Sequence, residues 1–296
     1  MDKFKGTGVA LVTPFSSNGK IDYSGLQKLV EFQINNGINY LVVQGTTGES
    51  VTLSEEEKIA VLDYIIEINA GRLPILLGVG GNNTLAVCEK IKFFSSYKID
   101  GFLSVSPYYN KPTQAGIFQH YKVIANSTNL PIIIYNVPGR TSSNISSQTI
   151  LELASSITNI VGVKEASGDL EQIMNIILKK PANFLVISGD DALTLPHICV
   201  GGDGVISVIA NAFPKRFSTM VHAALNNNLS LANEKHYELF EIIHYLFKDG
   251  NPAGIKHVLK LINICSDNVR LPLVNITEKT ADKLYELVAS IDDTLV

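Results

Sequence analysis

Eight short, apolar, β-rich runs recur along the chain, and each is followed by a longer stretch of helical period. Such alternation argues for βα units around a parallel sheet, because a strand reaches a parallel neighbour only through a crossover segment. The runs are Val9 to Val12, Tyr40 to Gln44, Pro74 to Gly78, Phe102 to Val105, Ile132 to Tyr135, Ile160 to Lys164, Phe184 to Ser188 and Val205 to Val208. Eight is the number of strands that closes a barrel. An open doubly wound sheet is the competing layout. Its glycine fingerprint after the first strand is missing, since Val12 leads into Thr13-Pro14-Phe15. The expectation is an α/β chain folded as a (β/α)8 TIM barrel.

Local signals agree with that layout. Pro74 and Pro131 stand where strands begin, the place at which a missing N–H costs least. Ser54 with Glu57 three residues on is a capping box, and Ile59, Leu62 and Ile65 then share one helical face. Beyond about Ser230 the strand signal stops. Helical stripes replace it: Leu239, Ile243 and Leu246; Ile255, Val258, Leu259 and Ile262; Leu284, Leu287, Val288 and Ile291. The division expected is a barrel over residues 1–229 and a C-terminal helical domain over residues 230–296.

Charge and cysteine usage narrow the function classes. A net charge of -4 with scattered lysines and arginines offers no field for nucleic acid or anionic membranes. No apolar run follows the N-terminal charges and none reaches the length of a membrane span, so a soluble cytoplasmic protein is expected. Cys88, Cys199 and Cys265 are far apart, as befits reduced, buried structural thiols. The histidines show no metal spacing, His236 and His244 being eight residues apart with no third ligand nearby, so no metal is expected.

In a barrel, chemistry collects at the carboxyl ends of the strands. There the chain places GTTGES (Gly45 to Ser50), SPYYNKP (Ser106 to Pro112), YNVPGRT (Tyr135 to Thr141), Lys164-Glu165 and SGDD (Ser188 to Asp191). Lys164 ends a run that reads as buried on both faces. Burial disfavours an ammonium and favours the amine that condenses with carbonyls, whereas a bland role has the stem covering apolar surface. GTTGES is either an anion nest or a plain strand-to-helix turn. Tyr135 is either a proton donor and acceptor or a core tyrosine; Arg140 offers a fork for a carboxylate or is a solvated loop residue. Tyr108 and Tyr109 suit packing or an interface. The carboxylates Glu49, Glu165, Asp190 and Asp191 raise the question of a glycosidase pair, but neighbours on a strand point to opposite faces. If Lys164 faces the lumen, Glu165 does not.

These motifs, in this order and over the whole chain, resemble the dihydrodipicolinate synthase family within the class I pyruvate-dependent aldolases. The resemblance implies that Lys164 forms a Schiff base with pyruvate and that the resulting enamine attacks L-aspartate-4-semialdehyde, a step of diaminopimelate and lysine biosynthesis needing no cofactor. By the same likeness Tyr135, Thr46 and Tyr109 form a proton relay, with Tyr109 supplied by a neighbouring subunit of a homotetramer built as a dimer of dimers. Thr47 and the backbone of Ile206 would contact pyruvate, and Arg140 would hold a carboxylate of the second substrate. Thr46 and Arg140 separate this reading from N-acetylneuraminate lyases and 2-keto-3-deoxy-sugar-acid aldolases, the alternative within the superfamily. Ser50, Asn82 and Tyr108 match a feedback pocket for L-lysine seen in related synthases. Ala86 and Lys58 stand where that pocket has a glutamate and a histidine, so feedback is expected to be weak or absent. NPAGIK (Asn251 to Lys256) departs from the family at Gly254, usually a proline, and is expected to lie outside the chemistry.

Overall fold

The computed structural model describes residues 2–291. Eight parallel strands close in sequence order: β1 (Gly6–Ala10), β2 (Tyr40–Val43), β3 (Ile75–Gly78), β4 (Gly101–Val105), β5 (Ile132–Asn136), β6 (Ile160–Glu165), β7 (Leu185–Ser188) and β8 (Gly204–Ser207), with β8 returning to pair with β1. The barrel expected from the alternation is the one formed. Pro74 and Pro131 do precede β3 and β5, and their carbonyls accept the amides of Leu41 and Phe102 from neighbouring strands.

Two apolar layers result from the two faces of each strand. Tyr40, Val42, Leu76, Leu103, Ile133, Tyr135, Val161, Leu185, Ile187 and Ile206 fill the lumen. Leu41, Val43, Ile75, Leu77, Phe102, Ile132, Ile134, Val163 and Val186 face the surrounding helices. The helix Glu55–Asn69 starts on Ser54, whose hydroxyl accepts the Glu57 amide while the Glu57 carboxylate accepts the Ser54 amide. That reciprocal cap is the one read from the sequence.

β1 departs from expectation. It spans Gly6–Ala10 and not Val9 to Val12. The glycine-rich start hides it from a hydrophobicity pattern, yet small residues are required there. A Cβ on Gly8 would lie 2.2 Å from the Tyr40 ring, which occupies that part of the lumen. Leu11 N–H still donates to the Val42 carbonyl, and Val12 N–H turns to Asn211 Oδ1.

Helices Leu229–Lys248, Ala253–Leu261 and Glu278–Ala289 follow the last barrel helix, Pro214–Leu225. Leu239, Ile243, Leu246, Ile255, Val258, Leu259, Leu284 and Val288 are buried, while Ile262, Leu287 and Ile291 are partly so. The departure at Gly254 has a packing reason: a Cβ there would lie 2.2 Å from the Leu246 carbonyl oxygen. Helix Ala253–Leu261 therefore starts in contact with the backbone of the preceding helix. Of the cysteines, Cys88 is buried, Cys265 half-buried and Cys199 exposed, so the expectation of uniformly buried thiols fails at Cys199, the last residue of the short helix Thr194–Cys199. No helix among the described residues is long and apolar enough to cross a membrane.

Candidate active site

At the carboxyl ends of the strands lies a cavity of about 730 Å³. Thr46, Thr47, Tyr108, Tyr135, Arg140, Lys164, Gly189, Val208 and Asn251 are among its lining residues. Lys164, the residue before the last of β6, is on the lumen face and is 6% exposed. Its register partner on β5 is Tyr135, and Nζ lies 4.3 Å from the centre of that ring. Among the described residues no carboxylate lies within ion-pair distance of Nζ. The nitrogen is thus not committed to a salt bridge and is open to bond formation.

Glu165 shows why the neighbouring carboxylate takes no part. Strand alternation turns it outward, where Asn136 Nδ2 reaches both of its oxygens at 3.0 Å, and Gln172 Nε2 and Ser167 N–H donate to it. Burial raises its carboxyl above the ordinary range, against the pull of those hydrogen bonds. Asn136 and Glu165 are themselves register partners. One pair locks β5 to β6 on the outer face, while Tyr135 and Lys164 meet on the inner face.

Gly189 supplies space. A Cβ at this position would lie 3.0 Å from Lys164 Cε and 2.6 Å from Ala166 Cβ, so only glycine leaves the lysine stem its path. The neighbouring Asp191 accepts the amides of Val208 and Ile209 and so holds the loop after β8. Burial pushes its carboxyl up to about 6.

The loop GTTGES forms a tight turn with left-handed residues at both ends, Gln44 at φ 60° and Glu49 at φ 51°. Such conformations cost energy in non-glycine residues and collect at functional sites. The amides of Gly48 and Glu49 close the turn onto Gly45 and Thr46. Those two amides are therefore not available to an anion, while the Thr46 and Thr47 amides have no backbone acceptor among the described residues. Thr47 is buried, and its hydroxyl accepts Asn251 Nδ2 at 3.0 Å. Glu49 is buried in an ion pair with Lys256. Both contacts come from NPAGIK, the segment expected to lie outside the chemistry, and Asn251 also lines the cavity. Residues 204 positions apart met only because the C-terminal helices fold back over the barrel mouth.

Thr46, Thr47, Tyr135, Arg140 and Lys164 are brought together around the cavity. Arg140 is exposed in the turn Pro138–Thr141, and among the described residues its guanidinium has no carboxylate partner. Two expected residues are not among those that line the cavity. Ile206 has its side chain in the lumen cluster, and Val208, two residues on, is a lining residue. Tyr109 is 91% exposed, with φ 65°, and is not among the residues that line the cavity, as Tyr108 is. Sequence reasoning missed Asn251 and Gly189 as site residues. Both lay inside motifs that had been noticed, NPAGIK and SGDD.

The Dihydrodipicolinate synthetase family matches residues 3–291 of the chain. The chain is 50% identical over 284 residues to a 4-hydroxy-tetrahydrodipicolinate synthase of Flavobacterium psychrophilum, covering 96% of this chain and 97% of that one. It superposes on the crystal structure of a dihydrodipicolinate synthase from Thermotoga maritima with a TM-score of 0.96 at 39% identity, covering 99% of this chain and 100% of that one. A dihydrodipicolinate synthase variant described as monomeric is as similar, with a TM-score of 0.96 at 39% identity and coverage of 99% and 98%.

Proposed function

The chain belongs to the Dihydrodipicolinate synthetase family, and on that premise we propose that Lys164 is the residue through which it condenses pyruvate with L-aspartate-4-semialdehyde. The observation that carries the assignment is a buried lysine, unpaired with any described carboxylate, on the cavity wall against the Tyr135 ring. The Lys164 amine adds to the pyruvate ketone and water leaves, giving an iminium. The iminium draws electrons from the adjacent methyl, a proton departs, and the enamine so formed attacks the aldehyde carbon of the second substrate. The substrate's own amine then closes on the iminium carbon and displaces Lys164, so that one water is lost overall.

Tyr135, Thr46 and Tyr109 carry protons in this scheme, Thr47 and the Ile206 backbone hold pyruvate, and Arg140 pairs with the carboxylate of the semialdehyde. The unpaired guanidinium on the cavity rim supports the last role. An exposed Tyr109 suits a residue that serves a second copy of the chain, and the homotetramer built from dimers is proposed from the family resemblance. We also propose that the C-terminal part expected over residues 230–296, of which 292–296 lie outside the described residues, is a helical domain beside the barrel expected over residues 1–229, and that the enzyme works in the cytoplasm. Borohydride reduction in the presence of pyruvate followed by peptide mapping tests the core assignment. The label should sit on Lys164 and vanish in Lys164→Ala and in Lys164→Arg, whose guanidinium stays protonated and cannot condense with a ketone. A label on any other lysine overturns it.

A further inference from the structure

The geometry points to Asn251 as a positioning residue of this reaction, orienting the Thr47 hydroxyl as a hydrogen-bond donor toward the carboxylate of pyruvate. The inference rests on the reading of Thr47 as a pyruvate contact and adds a residue from the C-terminal helices to it. Asn251 is 8% exposed and lines the cavity. Its Nδ2 donates to Thr47 Oγ1 at 3.0 Å, whereas its Oδ1 is buried with no partner among the described residues. A buried amide oxygen left unsatisfied is costly, and the bond to Thr47 is the single hydrogen bond of this side chain among the described residues.

A threonine hydroxyl has one proton and two acceptor sites. With one site filled by the amide of Asn251, and no acceptor for the proton among the described residues, the proton is what Thr47 has left to offer. A carboxylate entering the cavity is the acceptor that suits it, and a charged acceptor makes such a bond roughly twice as strong as a neutral one. The contact is rigidly supported. Lys256, on the helix that starts just after Asn251, bonds to Glu49 and to the Asn268 carbonyl, so the C-terminal helices grip the GTTGES loop at two points. The close approach of Gly254 to the Leu246 carbonyl fixes where that helix begins.

Steady-state kinetics of the full-length enzyme test the role through the order of two variants. Asn251→Asp keeps the shape but cannot donate; its carboxylate takes the Thr47 proton instead. Asn251→Ala removes the donor and leaves that proton free. Asn251→Asp is expected to raise the pyruvate KM at least about tenfold and Asn251→Ala by about threefold, with kcat and the semialdehyde KM within about twofold of the parent. A purely structural asparagine predicts the reverse order, since aspartate is the closer isostere, and that order overturns the inference. Should Asn251→Asp not fold, the selective rise of the pyruvate KM in Asn251→Ala carries the test, and an equal rise for both substrates overturns it. Thr47→Val separates the two layers. An unchanged pyruvate KM in Thr47→Val removes the underlying reading of Thr47. A raised KM in Thr47→Val beside an unchanged one in Asn251→Asp removes the Asn251 inference alone. On the Thr47→Val background, Asn251→Asp is expected to add less than about twofold, and its full effect there would show that it does not act through Thr47.

Discussion

Lys256→Met is the substitution whose cost the structure defines most sharply. Lys256 is fully buried, bonds to the Glu49 carboxylate and the Asn268 carbonyl, and sits 4.1 Å above the Phe15 ring. Glu49 is 2% exposed, and its second oxygen accepts the Arg270 amide at 3.0 Å. Burial holds the ammonium below the usual lysine range, although the carboxylate pulls the other way. Methionine fills most of the volume of the stem, so little of the loss comes from a cavity. What remains is a buried carboxylate with one main-chain donor and no cation bonded to it. Removing one member of a buried pair costs about 3–5 kcal/mol. At roughly 2–4 °C per kcal/mol for a domain approaching this size, melting should fall by about 6–20 °C. Because Glu49 lies two residues after Thr47, catalytic efficiency should fall with it. The double variant Glu49→Gln, Lys256→Met removes both charges and should recover much of the stability. Urea denaturation followed by circular dichroism measures all three proteins. A single-variant cost below about 1 kcal/mol, or a double variant no better than the single one, would refute the reasoning.

Further outcomes follow from the same geometry. Gly189→Ala should slow borohydride-trapped Schiff-base formation by about tenfold or more by displacing the Lys164 stem, and an unchanged trapping rate would mean the lysine reaches pyruvate by another path. Burial pushes the His120 imidazole down to about 4 and the Asp191 carboxyl up to about 6. The unfolded chain takes a proton that folded His120 refuses, so that contribution is lost as pH drops from about 6.5 towards 4; Asp191 has the opposite sign, since between about 4 and 6 the folded state binds the proton more tightly. Asp191→Asn should therefore steepen the fall of melting temperature over this acid range and His120→Gln should flatten it, and a parallel curve for either variant contradicts the sign assigned to that group. L-Lysine should inhibit weakly or not at all: Lys58 and Lys90 share the one carboxylate of Glu55 on the cavity wall, leaving an excess cation where a cationic effector would have to sit, and half-inhibition well below millimolar would count against this.

The barrel was legible because its information is local. Buried strands announce themselves as short β-branched runs, helices by a 3.6-residue stripe, and the Ser54 cap by a spacing of three. The same period of two placed Lys164 inside and Glu165 outside, a distinction that needs no tertiary knowledge once β6 is assigned. The start of β1 was read three residues late because Gly6 and Gly8 are small for the Asn39 side chain and the Tyr40 ring of the neighbouring strand, and a hydrophobicity pattern carries no trace of such contacts. Gly189 is small for a similar reason, with Lys164 as the occupant. Asn251 and Lys256 lie 204 and 207 residues from the partners they hold, Thr47 and Glu49. Only the return of the C-terminal helices over the barrel mouth creates those contacts. Sequence periodicity reports which face of a segment is buried, whereas what a buried polar group meets there depends on closure of the whole chain, and that was decided by the tertiary structure alone.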